Sequence, residues 1–155
     1  MISSTTNPHV KQIRSLLADR RERRRERMFV LEGVRLVADA LDSIADLTLV
    51  LFAHEQLEAT DQGSELLGRL EALPHSYAAT PQVVAAAAET VHPQGVVALA
   101  RWPEIEPGTP GVILALDGIQ DPGNLGTLLR SAEAVGVSQV LCARGTADVY
   151  SPKVV

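Results

Sequence analysis

The segment from Val112 to Ala143 constrains this 155-residue chain more than any other. Val112-Ile113-Leu114-Ala115-Leu116 is a continuous apolar run, the pattern of a strand covered on both faces. Asp117, Asp121, Pro122, Gly123 and Asn124 follow with turn chemistry and candidate helix caps. Leu125, Leu128, Leu129, Ala132 and Val135 then recur at i, i+3, i+4, i+7 and i+10, which predicts a helix with those residues on its core face. Gly136 stands where a left-handed C-terminal cap belongs, and Gln139 to Ala143 predicts a second strand, completing a βαβ unit. In parallel sheets of this kind ligands bind outside the carboxyl ends of the strands, here residues 117–124. Arg130 lies about 140° around the helix from Leu125, off the apolar stripe. Position alone allows two readings of it, a solvated helix residue or a cation held for a ligand.

Upstream, the apolar period alternates between that of helix and that of strand. Val10, Ile13, Leu16 and Leu17 predict a helix, Met28 to Leu31 a strand, Val34 to Leu41 a helix and Leu47 to Phe52 a strand. Leu66, Leu67, Leu70 and Leu73 predict another helix, His75 to Ala79 a short strand, Pro81 to Ala88 a helix and Gly95 to Ala100 a last strand. That alternation is the mark of a small layered α/β domain over residues 1–100. Residues 101–111 carry three prolines and two glycines, which predicts a linker over 101–110. Residues 111–155 hold one βαβ unit, too little to cover the sheet edge and the helix face it creates. Ser151 to Val155 predicts the start of a further helix.

Charge is distributed unevenly. Residues 1–35 hold nine Lys/Arg against four acids, and the remainder holds five against fifteen. A basic arm on an acidic body favours one oriented contact surface over general adhesion to polyanions. Lys11 and Arg14 precede the cluster Arg20, Arg21, Arg23, Arg24, Arg25 and Arg27, where Glu22 and Glu26 can pair with part of the charge. The cluster is either a salt-bridged solvated helix or a phosphate-binding one, since six arginines outnumber two glutamates. Aromatic residues make up only 3%, which argues against a surface that stacks bases.

Other classes recede. No apolar run approaches the roughly 18–20 residues of a membrane span, and residues 1–7 do not have the pattern of a signal peptide, so a cytoplasmic protein without a membrane partner is expected. Cys142 is the sole cysteine and, within an apolar strand, is expected to be a buried packing residue. His9, His54, His75 and His92 show no ligand spacing, so no metal is expected.

The order Asp121-Pro122-x-Asn124-x-Gly126-x-x-x-Arg130-x-Ala132-x-x-x-Gly136 resembles the first motif of the SpoU (TrmH-type) RNA ribose methyltransferases, with seven positions in sixteen residues matched in a strand–turn–helix setting. Asn7-Pro8-x-Val10-Lys11, Phe29-Val30-Leu31-Glu32-Gly33 and Thr90-Val91-His92-Pro93-Gln94-Gly95-Val96 resemble that family's substrate-binding domain, so the likeness spans nearly the whole chain. The resemblance implies an RNA-binding domain over 1–100, followed at 111–155 by the first βαβ part of a parallel-sheet α/β-knot methyltransferase domain. It implies S-adenosylmethionine-dependent 2′-O-methylation of ribosomal or transfer RNA, with Arg130 and Asn124 catalytic and with Lys11, Arg14 and the six clustered arginines on RNA. It places the cofactor contacts and two further motifs after Val155, so that the 155 residues alone are expected not to bind the cofactor. It implies a homodimer for a complete member. Asp117 and Asp121 are expected to cap and shape the turn. The competing expectation is a module that binds structured RNA without chemistry.

Overall fold

The computed structural model describes residues 1–43, 45–104 and 111–155. The chain divides into two units, Met1–Pro103 and Glu104–Val155. The linker expected over 101–110 lies, from residue 105 onward, outside the described residues.

The first unit runs α1 (Pro8–Ala18), α2 (Arg20–Glu26), β1 (Met28–Glu32), α3 (Val34–Asp42), β2 (Leu47–Phe52), α4 (His54–Leu57), α5 (Asp61–Leu70), β3 (Ser76–Ala78), α6 (Pro81–Ala87) and β4 (Val96–Arg101). Local chemistry sets the helix starts. Asn7, Thr60 and Thr80 cap α1, α5 and α6 with side-chain oxygens that accept backbone N–H groups, and α1 and α6 each carry proline in the first turn, where its missing N–H goes unneeded. The sheet order is β1-β4-β2-β3, with β4 antiparallel to β1 and β2, and β3 parallel to β2. Val96 to Ala100 of the inner strand β4 are completely buried, because helices cover both sheet faces. On one face Val10, Ile13 and Leu16 of α1 and Val83, Val84 and Ala87 of α6 meet Val30, Leu49, Leu51, Val97 and Leu99. Alternate residues Val50 and Phe52 turn the other way, and Val37, Leu66 and Leu70 of the helices α3 and α5 are buried too. The single turn α4 was not expected, since four residues are too few to display a period.

The second unit holds β5 (Ile113–Leu116), α7 (Pro122–Ala134) and β6 (Gln139–Cys142), with β5 and β6 parallel in the register Ile113↔Gln139 to Leu116↔Cys142. Gly136 is left-handed, φ +73°, its N–H donating to Glu133 O and that of Val137 to Ala132 O, which closes α7 as the sequence indicated. Three expectations fail here. The run at Val112 is not covered on both faces, for Val112 is 67% exposed and Ile113 54%; only the side carrying Leu114 and Leu116 packs with the α7 residues Leu125, Leu128 and Leu129. Val135 is 79% exposed because it lies past the last helical turn, and Cys142 is exposed at the end of a two-stranded sheet rather than buried. Ser151 to Val155 forms a turn, with Val154 N–H donating to Ser151 O, and Val154 is buried against Leu116 and Leu125.

Candidate functional site

Asp121 and Asn124 of the second unit lie together just beyond the end of β5. Leu116 O accepts from Ala143 N–H at 2.9 Å and from the Thr146 hydroxyl at 3.3 Å, and Ala147 N–H donates to Ile119 O at 2.7 Å. These bonds fasten the β5–α7 loop to the loop after β6. Asp121 then caps α7 by accepting from Asn124 N–H at 2.7 Å, the structural task expected of it. Gly118, Gln120, Asp121, Asn124, Thr127 and Leu128 line an open trough of about 490 Å³ along the first two turns of α7.

Arg130 lies elsewhere on the same helix. It is exposed, and among the described residues no carboxylate pairs with it. At the point where a Cβ would stand on Gly126, the Arg130 Nη1 and Nη2 are 3.2 and 3.4 Å away and the carbonyl oxygen of Val154 3.0 Å. Glycine at this position therefore lets a guanidinium and a backbone carbonyl converge on the helix surface. Asn124 and Arg130, six residues apart, are about 120° apart around α7 and ~9 Å apart along it, so the asparagine edges the trough and the arginine stands beyond it. The contribution of the closing turn at Val154 was missed by sequence reasoning. Its signal was Gly126 itself, which costs roughly 1 kcal/mol against alanine in a helix unless something must come close.

The arginine cluster is helical, and its members differ. Arg23 is only 5% exposed, and its Nη1 donates to Leu16 O and to Leu17 O, satisfying carbonyls at the C-terminal end of α1. Arg25 pairs with Glu22 at 2.5 Å and Glu26 at 3.0 Å, and these neighbours raise its pKa further. Arg27 ends α2 in a left-handed conformation, φ 51°, with its guanidinium carbon 5.8 Å from the centre of the Trp102 ring. Arg20, Arg21 and Arg24 are exposed with no carboxylate partner among the described residues, and Lys11 and Arg14 are exposed on α1.

Two sequence signatures of the first unit prove to be one brace. The Glu32 carboxylate accepts from Glu89 N–H at 2.8 Å and from both the N–H and the hydroxyl of Thr90. Gln94 Oε1 accepts from Val34 N–H at 3.0 Å, the first N–H of α3, which passes over Gly33 at φ +101°. Cys142, though exposed, has its thiol pKa pushed up by what burial remains. Among the described residues no cluster of three His, Cys, Asp or Glu could hold a metal, and no helix is long and apolar enough to cross a membrane.

Residues 7–98 match the family described as MRM3-like substrate binding domain, and residues 111–155 match the SpoU rRNA Methylase family. The chain is 34% identical over 98% of its length to 23S rRNA (guanosine(2553)-2'-O)-methyltransferase of Bacillus subtilis, and 37% identical over 99% of its length to a tRNA/rRNA methyltransferase of Synechocystis. It covers 58% and 56% of those two proteins. Among solved structures it resembles an AdoMet-bound rRNA methyltransferase from Sinorhizobium meliloti, with a TM-score of 0.78 and 30% identity, covering 99% of this chain and 57% of that one.

Proposed function

Since the chain belongs to the SpoU family of RNA methyltransferases, we propose that it serves S-adenosylmethionine-dependent 2′-O-methylation of ribose in ribosomal or transfer RNA. One observation supports the reading most directly. Arg130 is an exposed guanidinium without a carboxylate partner among the described residues, held over Gly126 on the helix that follows a strand's carboxyl end.

A ribose 2′-hydroxyl is a weak nucleophile, so its transfer chemistry needs the developing alkoxide stabilised and the oxygen oriented. The Arg130 guanidinium presents a planar fork of donors, suited to a phosphate oxygen and the 2′-oxygen together. Arg130 accordingly orients and stabilises rather than abstracting a proton. The Asn124 amide, on the edge of the trough, holds the loop or the ribose, while Asp121 stays engaged as the cap of α7. The cofactor, when bound, supplies an electrophilic methyl group on a sulfonium. The trough does not fit it alone, because it lies open to solvent. Family likeness assigns the cofactor contacts to residues other than these.

The first unit is the RNA-gripping part of this reading, through its basic helices. A homodimer and a cytoplasmic setting belong to the same proposal and rest on family likeness alone. The experiment is to delete the gene carrying this sequence and map ribose methylation by resistance to alkaline cleavage. Loss of one 2′-O-methyl group in ribosomal or transfer RNA is expected; an unchanged map overturns the reading.

A further inference from the structure

We infer that α2 meets RNA through a three-arginine face made of Arg20, Arg21 and Arg24, and that the other arginines of the cluster do not touch phosphate; this rests on the RNA-binding reading above. The division follows from what each guanidinium already does. Arg23 would have to abandon the carbonyls of Leu16 and Leu17 and leave a nearly completely buried position. Those carbonyls would then lack their donor, a cost that a solvent-screened phosphate contact does not repay. Arg25 would have to release Glu22 and Glu26, and Arg27 would have to leave its place near the Trp102 ring.

Arg20, Arg21 and Arg24 carry no such obligation, being exposed and without a carboxylate partner among the described residues. On a helix they fall within an arc of about 100° and a rise of ~6 Å, so three guanidiniums face one way within little more than a turn. One strand of a nucleic-acid helix carries a phosphate per roughly 3.4 Å of axis, so this face spans about two successive phosphates. Asp19 fixes its start by accepting from Arg21 N–H at 2.7 Å, and Arg23 ties the helix to the end of α1. The arginines are thus displayed on a short helix capped at its start and tied through its middle residue to α1, which reduces the backbone ordering left to occur on binding. With no aromatic residue in α2, the ligand is the sugar–phosphate backbone rather than the bases.

The test is binding of a fluorescein-labelled RNA hairpin to the 155-residue chain, followed by anisotropy across a series of salt concentrations. Replacing Arg20, Arg21 and Arg24 together by alanine should flatten the slope of log K against log salt by about 2, at roughly 0.7 to 0.9 for each lost contact. Arg25→Ala should leave the slope unaltered. Arg23→Gln should lower the melting temperature and leave the slope of the folded protein unaltered. Equal flattening by Arg25→Ala, or an unchanged slope in the triple variant, overturns the division. Failure of the unaltered chain to bind the hairpin at all overturns the RNA-binding reading itself, and the inference with it.

Discussion

Gly126 and Arg130 occupy one space on α7: the guanidinium nitrogens sit 3.2 and 3.4 Å from where the glycine's missing Cβ would be. The Val154 carbonyl approaches the same point to 3.0 Å. Placement of the arginine therefore depends on a residue one turn away having no side chain.

Gly126→Ala tests that dependence. In an open helix the change would stabilise by roughly 1 kcal/mol through propensity. Here the added methyl must push back either the backbone at Val154 or the guanidinium, and overpacking of this kind typically costs about 1–3 kcal/mol. Urea denaturation should find the variant less stable than the parent. A gain approaching 1 kcal/mol would mean that the closing turn gives way freely and that the glycine has no steric role.

Much of this was legible in the sequence and some was not, for reasons that particular residues display. Val10, Ile13 and Leu16, and the strand residues from Val96 to Ala100, announce their elements because both unit-one sheet faces are covered and the period follows burial. An apolar run does not say how many of its faces are covered, which is why Val112, Ile113 and Cys142 were misplaced. The arginine cluster shows the same limit. Composition makes Arg23 and Arg24 equivalents, yet one lies 100° further around the helix and so faces solvent while the other reaches the end of α1. Gly126 and Arg130 were marked by the motif, but the carbonyl that explains the glycine comes from a turn 28 residues further on.

Glu32→Ala should release the loop at residues 89–90. The carboxylate accepts two backbone N–H groups and a hydroxyl there, and because these donors are exposed, water replaces part of what is lost. A loss of about 1 kcal/mol in global stability is expected, together with faster hydrogen exchange at the amides of Glu89 and Thr90. Glu32→Gln, which keeps one acceptor oxygen, should lie between parent and alanine variant. Exchange at those two amides that is unaffected by Glu32→Ala would show that the loop is held by other means.

Titration of S-adenosylmethionine into the 155-residue chain, followed by calorimetry, should give no saturable heat at micromolar concentrations. The reason is geometric: the trough at Asn124 and Thr127 lies open to solvent, where a ligand of that size would remain largely exposed. Micromolar binding would place the cofactor on these residues and require the trough to close around it.

The decisive substitution is at Arg130, measured in whatever form of the protein methylates RNA. Arg130→Lys keeps the charge and loses the planar fork; Arg130→Ala loses both. Arg130 is exposed and without a carboxylate partner among the described residues, so neither change breaks an ion pair in the folded chain, and stability should move by less than about 0.5 kcal/mol. RNA affinity should also stay nearly constant, since it is assigned to the basic helix of the other unit. The loss should fall on turnover, because the proposed contact strengthens only as the alkoxide forms, and removing one such donor costs about two decades. Single-turnover methylation at saturating RNA and cofactor separates the two quantities. Should Arg130→Ala turn over at the parental rate, the residue is an ordinary solvated arginine, and the convergence at Gly126 serves packing alone.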